Sequence, residues 1–284
     1  MKKTKPKMAF CYDFDGTLSP GNMQEYDFIQ KLNMPVQDFW LKAHHLSLEH
    51  DCDEVLSYMR LMLEEADARH MPFTREDFRA SGAKISFYEG VDTWFDRINA
   101  YAAAKGIETE HYIISSGLRE IIKGTSIAPF FKWIYASSFM YDESGRALWP
   151  AQVINYTTKT QYLFRINKGC LKINDPEINA YTPDENRSVP FSRMVYVGDG
   201  DTDIPCMKLV KSEGGHSIAV YEPDKEKQTG TARRLLKDGR VNFIAPAVYT
   251  PHSMMEELVK TIIDQVSLDL KMTRLREVSP CIID

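Results

Sequence analysis

With 284 residues, of which 43% are hydrophobic and 26% charged, the chain has the composition of an ordinary globular protein, long enough for one large or two modest domains around a real core. A formal net charge of −5 and the lack of any long basic run argue against a nucleic-acid platform. No stretch approaches the roughly 18 apolar residues of a membrane span, and the apolar run after the basic opening MKKTKPK is too short for a secretory signal, so no membrane partner and a cytoplasmic location are the default expectations.

In chain order, the first element is a short apolar strand, Ala9-Phe10-Cys11-Tyr12, which runs into Asp13 and Asp15 and then Gly16 and Thr17. Two like charges at a buried strand tip raise the energy of both carboxylates unless a cation or proton relieves them. Residues 22–81 read as wholly helical. Their clearest helix is DCDEVLSYMRLMLEEADARH, where Val55, Leu56, Met59, Met62, Leu63 and Ala66 share one face and acids lead. Thr74 with Asp77 resembles a capping box. From Gly90 the pattern changes to helices alternating with short apolar strands: a helix stopped at Gly106, the strand HYIIS, and a helix ended at Gly124. A hairpin turning at Ser144-Gly145 follows, then a helix with Thr158 as N-cap and Gly169 as stop. The strand RMVYVG, further strand–helix pairs and a last helix from Ser253 complete the series. This alternation predicts an α/β fold, a Rossmann-like three-layer sandwich with a mainly parallel sheet. The polar excursion from Gly169 to Ser192 precedes a strand, which places it at the end of the sheet opposite the strand tips. The five cysteines (11, 52, 170, 206, 281) are scattered and odd in number, so they read as reduced thiols. The tail from about Leu268 carries no readable motif.

Ligands of such sheets bind at the carboxyl ends of the strands. Three strands end there in polar residues: the first in Asp13 and Asp15, the second in Ser115 followed by Ser116 and Gly117 where a helix is expected to start, the third in Asp199 with Asp203 four residues on. Lys159 takes the first position of the helix capped by Thr158. Several carboxylates against one lysine leave the site strongly negative, and hard oxygen donors suit Mg²⁺. With Mg²⁺ and Lys159 present, a phosphoryl dianion fits between them, its oxygens bound by Ser115 and the amides that follow.

DFDGTL, IIS with SG after it, Lys159 and GDGDTD occur in the order of the four motifs of the haloacid dehalogenase-like hydrolases, and the chain is similar to that superfamily across most of its length. The helical block lies where that family places a cap, so the resemblance implies a catalytic core of residues 1–20 and 87–284 and a small all-helical cap of residues 21–86. It further implies Asp13 as nucleophile through an aspartyl-phosphate, and Asp15 as general acid and base. Mg²⁺ would be held by the side chains of Asp13 and Asp199 and the carbonyl of Asp15. Ser115 would bind phosphate, Lys159 would offset charge, and Asp203 would orient Lys159 or a metal-bound water. Members that displace halide lack the second acid, so Asp15 points to phosphoryl chemistry. The substrate class implied is a small phosphorylated metabolite, with no obligate protein partner evident.

Plainer readings stand beside these. Ser115 reads also as a helix cap, with Ser116 as its rival for phosphate. Lys168 rivals Lys159 from the far end of the same helix, where a cation offsets the helix dipole. Arg119 is within reach of an anionic substrate group or forms a structural ion pair. HHLSLEHDCDE matches no metal motif and reads as solvated surface. The four tryptophans read as core or interface. Phosphotransfer as in a phosphomutase, and a phospho-accepting signalling or phosphate-binding module, are the alternative functions. An isomerised sugar phosphate would mark the first, a long-lived phospho-adduct the second.

Overall fold

The computed structural model describes residues 5–279. The first four residues of the basic opening and the last five residues, with Cys281, lie outside them. The elements are, in order, β1 (Lys7–Tyr12), α1 (Phe28–Lys31), α2 (Val36–His50), α3 (Glu54–Ala68), α4 (Arg75–Gly82), α5 (Val91–Ala104), β2 (Glu108–Leu118), α6 (Arg119–Lys123), β3 (Phe131–Tyr141), β4 (Ala147–Gln152), α7 (Thr160–Lys168), β5 (Met194–Gly198), α8 (Ile204–Ser212), β6 (His216–Tyr221), α9 (Glu226–Lys237), β7 (Phe243–Pro246) and α10 (Met254–Val278). No helix among the described residues is long and apolar enough to cross a membrane.

The seven strands form one sheet in the order β4-β3-β2-β1-β5-β6-β7, with every pair parallel except the β3–β4 hairpin. The α/β sandwich expected from the alternating pattern is therefore the fold. Strand β1 shows why: both of its faces are buried, with Met8, Phe10 and Tyr12 in one cluster and Ala9 and Cys11 in the other. The first cluster also takes residues of α5 and α10; the second takes residues of α7, α8 and α9. The chain winds outward from β1 through β2 and β3, then restarts at β5 on the other side. This makes β1 and β5 the switch point, where a crevice opens beyond the strand ends.

Between Met23 and Gly82 the regular elements are all helical. Their apolar faces, including Phe28, Phe39, Val55 and Tyr58, belong to the same buried cluster as Phe10 of β1 and Trp94 of α5. Helix α4 begins with the capping box of Thr74 and Asp77. Its approach is fixed by backbone bonds to the β3–β4 hairpin, Arg75 N to Gly145 O at 2.9 Å and Ala147 N to Phe73 O at 2.9 Å. The hairpin turns where expected, with Gly145 at a φ of +82°.

Two local expectations are corrected. Thr158 is not the N-cap. A 3₁₀ turn, Tyr156–Lys159, precedes α7 and is capped by Asn155, whose N–H bonds back to Thr158 Oγ1 at 2.7 Å. The hydroxyl of Thr158 thus points to the turn before it. Strand β2 does not end at Ser115 but continues through a register shift to Leu118, and the helix begins only at Arg119. Of the two readings of Trp149, core or interface, its 62% exposure on the edge strand β4 excludes the core. The Gly169–Ser192 excursion folds under the carboxyl end of α7, where Lys168 Nζ donates to the carbonyls of Ile178 and Ala180.

Candidate active site

The site begins where β1 stops. Asp13 N donates to Val197 O of β5 at 2.9 Å, and Asp13 Oδ1 accepts from Phe14 N at 2.7 Å, so the carboxylate is fixed at the crevice. The chain then turns sharply, with Gly16 N bonded to Ser19 O at 2.7 Å. Asp15 leaves this turn on the other side, and its Oδ1 accepts from Met23 N at 2.9 Å.

Lys159 enters from the turn before α7 and is fully buried. Its Nζ donates to Asp13 Oδ2 and to Asp203 Oδ1, both at 2.8 Å, and to Thr202 Oγ1 at 3.3 Å. Asp203, also fully buried, accepts from Tyr196 Oη at 2.7 Å and from the Asp199 amide at 3.3 Å. Its partners therefore tie it to the lysine. Lys168 lies at the far end of α7 and takes no part.

Ser115 and Ser116 diverge. Ser115 Oγ accepts from Gly117 N at 3.0 Å, and Leu118 N donates to Met23 Sδ at 3.0 Å. The Gly117 amide, expected to lie free at a helix start, is thus engaged in an extended segment. Ser116 Oγ is buried without a hydrogen-bond partner, while its carbonyl accepts from Tyr58 Oη at 2.8 Å. Gly117 admits the turn after Asp13 closely: a Cβ there would fall 2.9 Å from Asp15 Oδ2.

A cavity of about 320 Å³ adjoins Asp15. Besides Asp15, Ser116 and Gly117, its wall includes Trp40, His44, Glu54, Tyr58 and Asn155. None of these last five was singled out from the sequence as a site residue. Trp40 and Tyr58 sit on amphipathic helices, where their spacing looks like that of core residues. His44 and Glu54 both lie in the HHLSLEHDCDE run, with His44 Nδ1 3.2 Å from Glu54 Oε1. Among the described residues that run assembles no metal-ready cluster. Arg119 pairs with Glu120 at 3.2 Å and does not line this cavity.

Charge in the crevice is strained in one direction. Burial, and then the charge of Asp203, raise the pKa of Asp13 to about 6, against the opposing pull of Lys159. Burial and the neighbouring Asp13 push Asp15 well above the carboxylate range, and burial with Asp203 does the same to Asp199. Burial disfavours the charge of Lys159, but Asp13 and Asp203 outweigh it and raise its pKa. Asp13, Asp199 and Asp203 each offer a carboxylate oxygen within 4.8 Å of the others. One buried lysine does not balance these acids. An all-oxygen donor set with surplus negative charge fits a small hard divalent cation.

The family model of haloacid dehalogenase-like hydrolases matches residues 10–208. An uncharacterized protein of Borreliella burgdorferi is 27% identical, over 88% of this chain and 94% of its own. Among solved structures, a HAD family hydrolase of Salmonella enterica serovar Typhi is similar over 90% of this chain and 72% of its own, with a TM-score of 0.57 at 15% identity. A phosphoserine phosphatase with a phospho-aspartyl intermediate analogue is similar over 90% of this chain and 99% of its own, with a TM-score of 0.53 at 16% identity. At these identities the likeness to the solved structures is one of fold.

Proposed function

The chain belongs to the haloacid dehalogenase-like hydrolase family, and from that premise we propose that it hydrolyses a small phosphomonoester, with Asp13 as nucleophile and Asp15 as general acid and base. The observation that carries the reading is the clamp of Asp13 and Asp203 on the fully buried Lys159, with Asp15 at the wall of the adjoining cavity. Phosphoryl transfer asks mainly for positioning and charge neutralisation, and the clamp supplies both.

In the first half-reaction a carboxylate oxygen of Asp13 attacks phosphorus, the ester bond breaks, and Asp15 gives its proton to the departing alkoxide. In the second, Asp15 takes a proton from water as that water attacks phosphorus; phosphate leaves and the Asp13 carboxylate is restored. Lys159 offsets charge on Asp13 and on the phosphoryl group, and Asp203 keeps Lys159 in place. Ser115 and Ser116 hold the phosphoryl oxygens through their hydroxyls, Ser115 Oγ keeping its own proton to donate while it accepts from Gly117 N. Mg²⁺, when bound by Asp13, Asp199 and the carbonyl of Asp15, would supply Lewis-acid withdrawal of phosphoryl charge. The helices of residues 21–86 act as a lid that keeps bulk water from the site.

The test is phosphate release from p-nitrophenyl phosphate with Mg²⁺ present. Asp13→Asn is expected to abolish it while leaving the fold intact by circular dichroism. Undiminished release from that variant removes Asp13 from the role of nucleophile.

A further inference from the structure

The cavity beside Asp15 has a chemical bias that the phosphoryl chemistry does not require. Its wall carries the carboxylates of Asp15 and Glu54, the imidazole of His44, the rings of Trp40 and Tyr58, and amide and hydroxyl groups, with no lysine or arginine. Lys159 is fully buried behind Asp13 and does not line it. A phosphomonoester that presents its phosphorus to Asp13 must direct its alcohol part away from Lys159, into this space.

The two rings meet edge to face, with centroids 5.8 Å apart and planes at 74°. Both are held by their polar ends. Trp40 Nε1 donates to Glu25 Oε1 at 2.8 Å, and Tyr58 Oη donates to the Ser116 carbonyl at 2.8 Å. Glu54 is braced by His44 at 3.2 Å. A corner of fixed aromatic rings with a carboxylate beside it attracts a cation, through the ring quadrupoles and through charge. A carboxylate on the same alcohol would meet the carboxylates of Asp15 and Glu54, with no lysine or arginine in the wall to offset it.

Resting on the phosphatase reading above, we infer that the natural leaving alcohol is a cationic amino alcohol without a carboxylate, its ammonium seated between Trp40, Tyr58 and Glu54. O-phosphoethanolamine and O-phosphoserine differ by that one carboxylate, and sn-glycerol 3-phosphate supplies a neutral alcohol. The expected kcat/KM with Mg²⁺ is highest for O-phosphoethanolamine, roughly tenfold or more above O-phosphoserine, the factor that follows from one unbalanced charge contact. Glu54→Gln is expected to lower kcat/KM for O-phosphoethanolamine by about tenfold relative to its change for sn-glycerol 3-phosphate. A ratio between these two esters that Glu54→Gln leaves unaltered, or equal turnover of O-phosphoserine, overturns the inference.

Calorimetric binding of the same esters to Asp13→Asn reads the preference without turnover. If Asp13→Asn binds O-phosphoethanolamine tightly and O-phosphoserine weakly while the unsubstituted protein releases no phosphate from any ester, the hydrolase reading falls and the cavity's preference stands. A protein that cleaves p-nitrophenyl phosphate but ignores the ammonium does the reverse.

Discussion

At Gly16 the backbone has a φ of +73°, and a Cβ would fall 2.3 Å from Asp199 Oδ2. The glycine is therefore required twice, by its conformation and by the approach of the carboxylate that follows β5. Gly16→Ala is expected to lose roughly 1–2 kcal/mol from backbone strain alone. By displacing Asp199 it should also weaken Mg²⁺ about tenfold, read as the concentration that half-saturates activity. A variant with unchanged metal dependence would show that Asp199 does not hold the ion. The DFDGT stretch made this glycine conspicuous, but its contact with a residue so far along the chain was beyond any local pattern. Trp40 and Tyr58 were illegible for the opposite reason. Their spacing on α2 and α3 serves the core and the cavity alike, and periodicity cannot separate the two.

Turns and caps were the best-read elements, because their chemistry is local. The Thr74–Asp77 box and the Gly145 turn needed only a few neighbouring residues. The start of α7 was misread because Asn155 competes for the same cap one turn earlier, and the strand β2 outlasted its apolar run because pairing with β3 extends it. Packing between elements left no mark in the sequence. Gly124, at the end of α6, has a φ of −85° that any residue adopts, yet a Cβ there would lie 1.9 Å from the Arg79 carbonyl of α4. Gly82 of α4 approaches the Ile121 carbonyl in the same way. Gly124→Ala should therefore destabilise the protein by about 1–3 kcal/mol through overpacking. Thermal melting checks this, and an unshifted midpoint would mean that α4 yields freely against α6.

For the whole molecule, the alternation of strands and helices gave the layered sheet directly, but not its winding order, which decides that β1 and β5 share the crevice. The same order brings α10 against α5, and one buried carboxylate joins them. Glu256 accepts from Arg97 Nε at 2.7 Å, from the His252 amide at 2.9 Å and from Lys260 Nζ at 3.0 Å. Burial opposes its charge, but these partners outweigh it and lower the pKa from 4.5 to about 2. The stability it contributes is present above pH 4.5 and is lost as pH falls toward 2, because the unfolded chain binds the proton first. Glu256→Gln should melt at a lower temperature at neutral pH and lose less on acidification; equal acid sensitivity in both proteins would contradict the assignment. On the metal site proposed above, Mg²⁺ should raise the melting temperature, with about 2.7 kcal/mol of added stability at a hundredfold excess over Kd. Asp199→Asn is expected to remove most of that gain, and a full gain in the variant would place the ion elsewhere.

The two points where the helical stretch leaves and rejoins the sheet layer are neighbours: Tyr88 N donates to Leu18 O at 3.0 Å, and Tyr249 bridges them, its hydroxyl on the Thr17 carbonyl and its amide on that of Glu89. A segment with touching ends can be exchanged in evolution by a single splice, without re-registering one strand. Its aromatic underside, stacked through Phe78 on Phe139 of β3, sets the condition on any such exchange. A replacement must arrive with its own greasy sole, or the sheet and its helices are left with a bare flank.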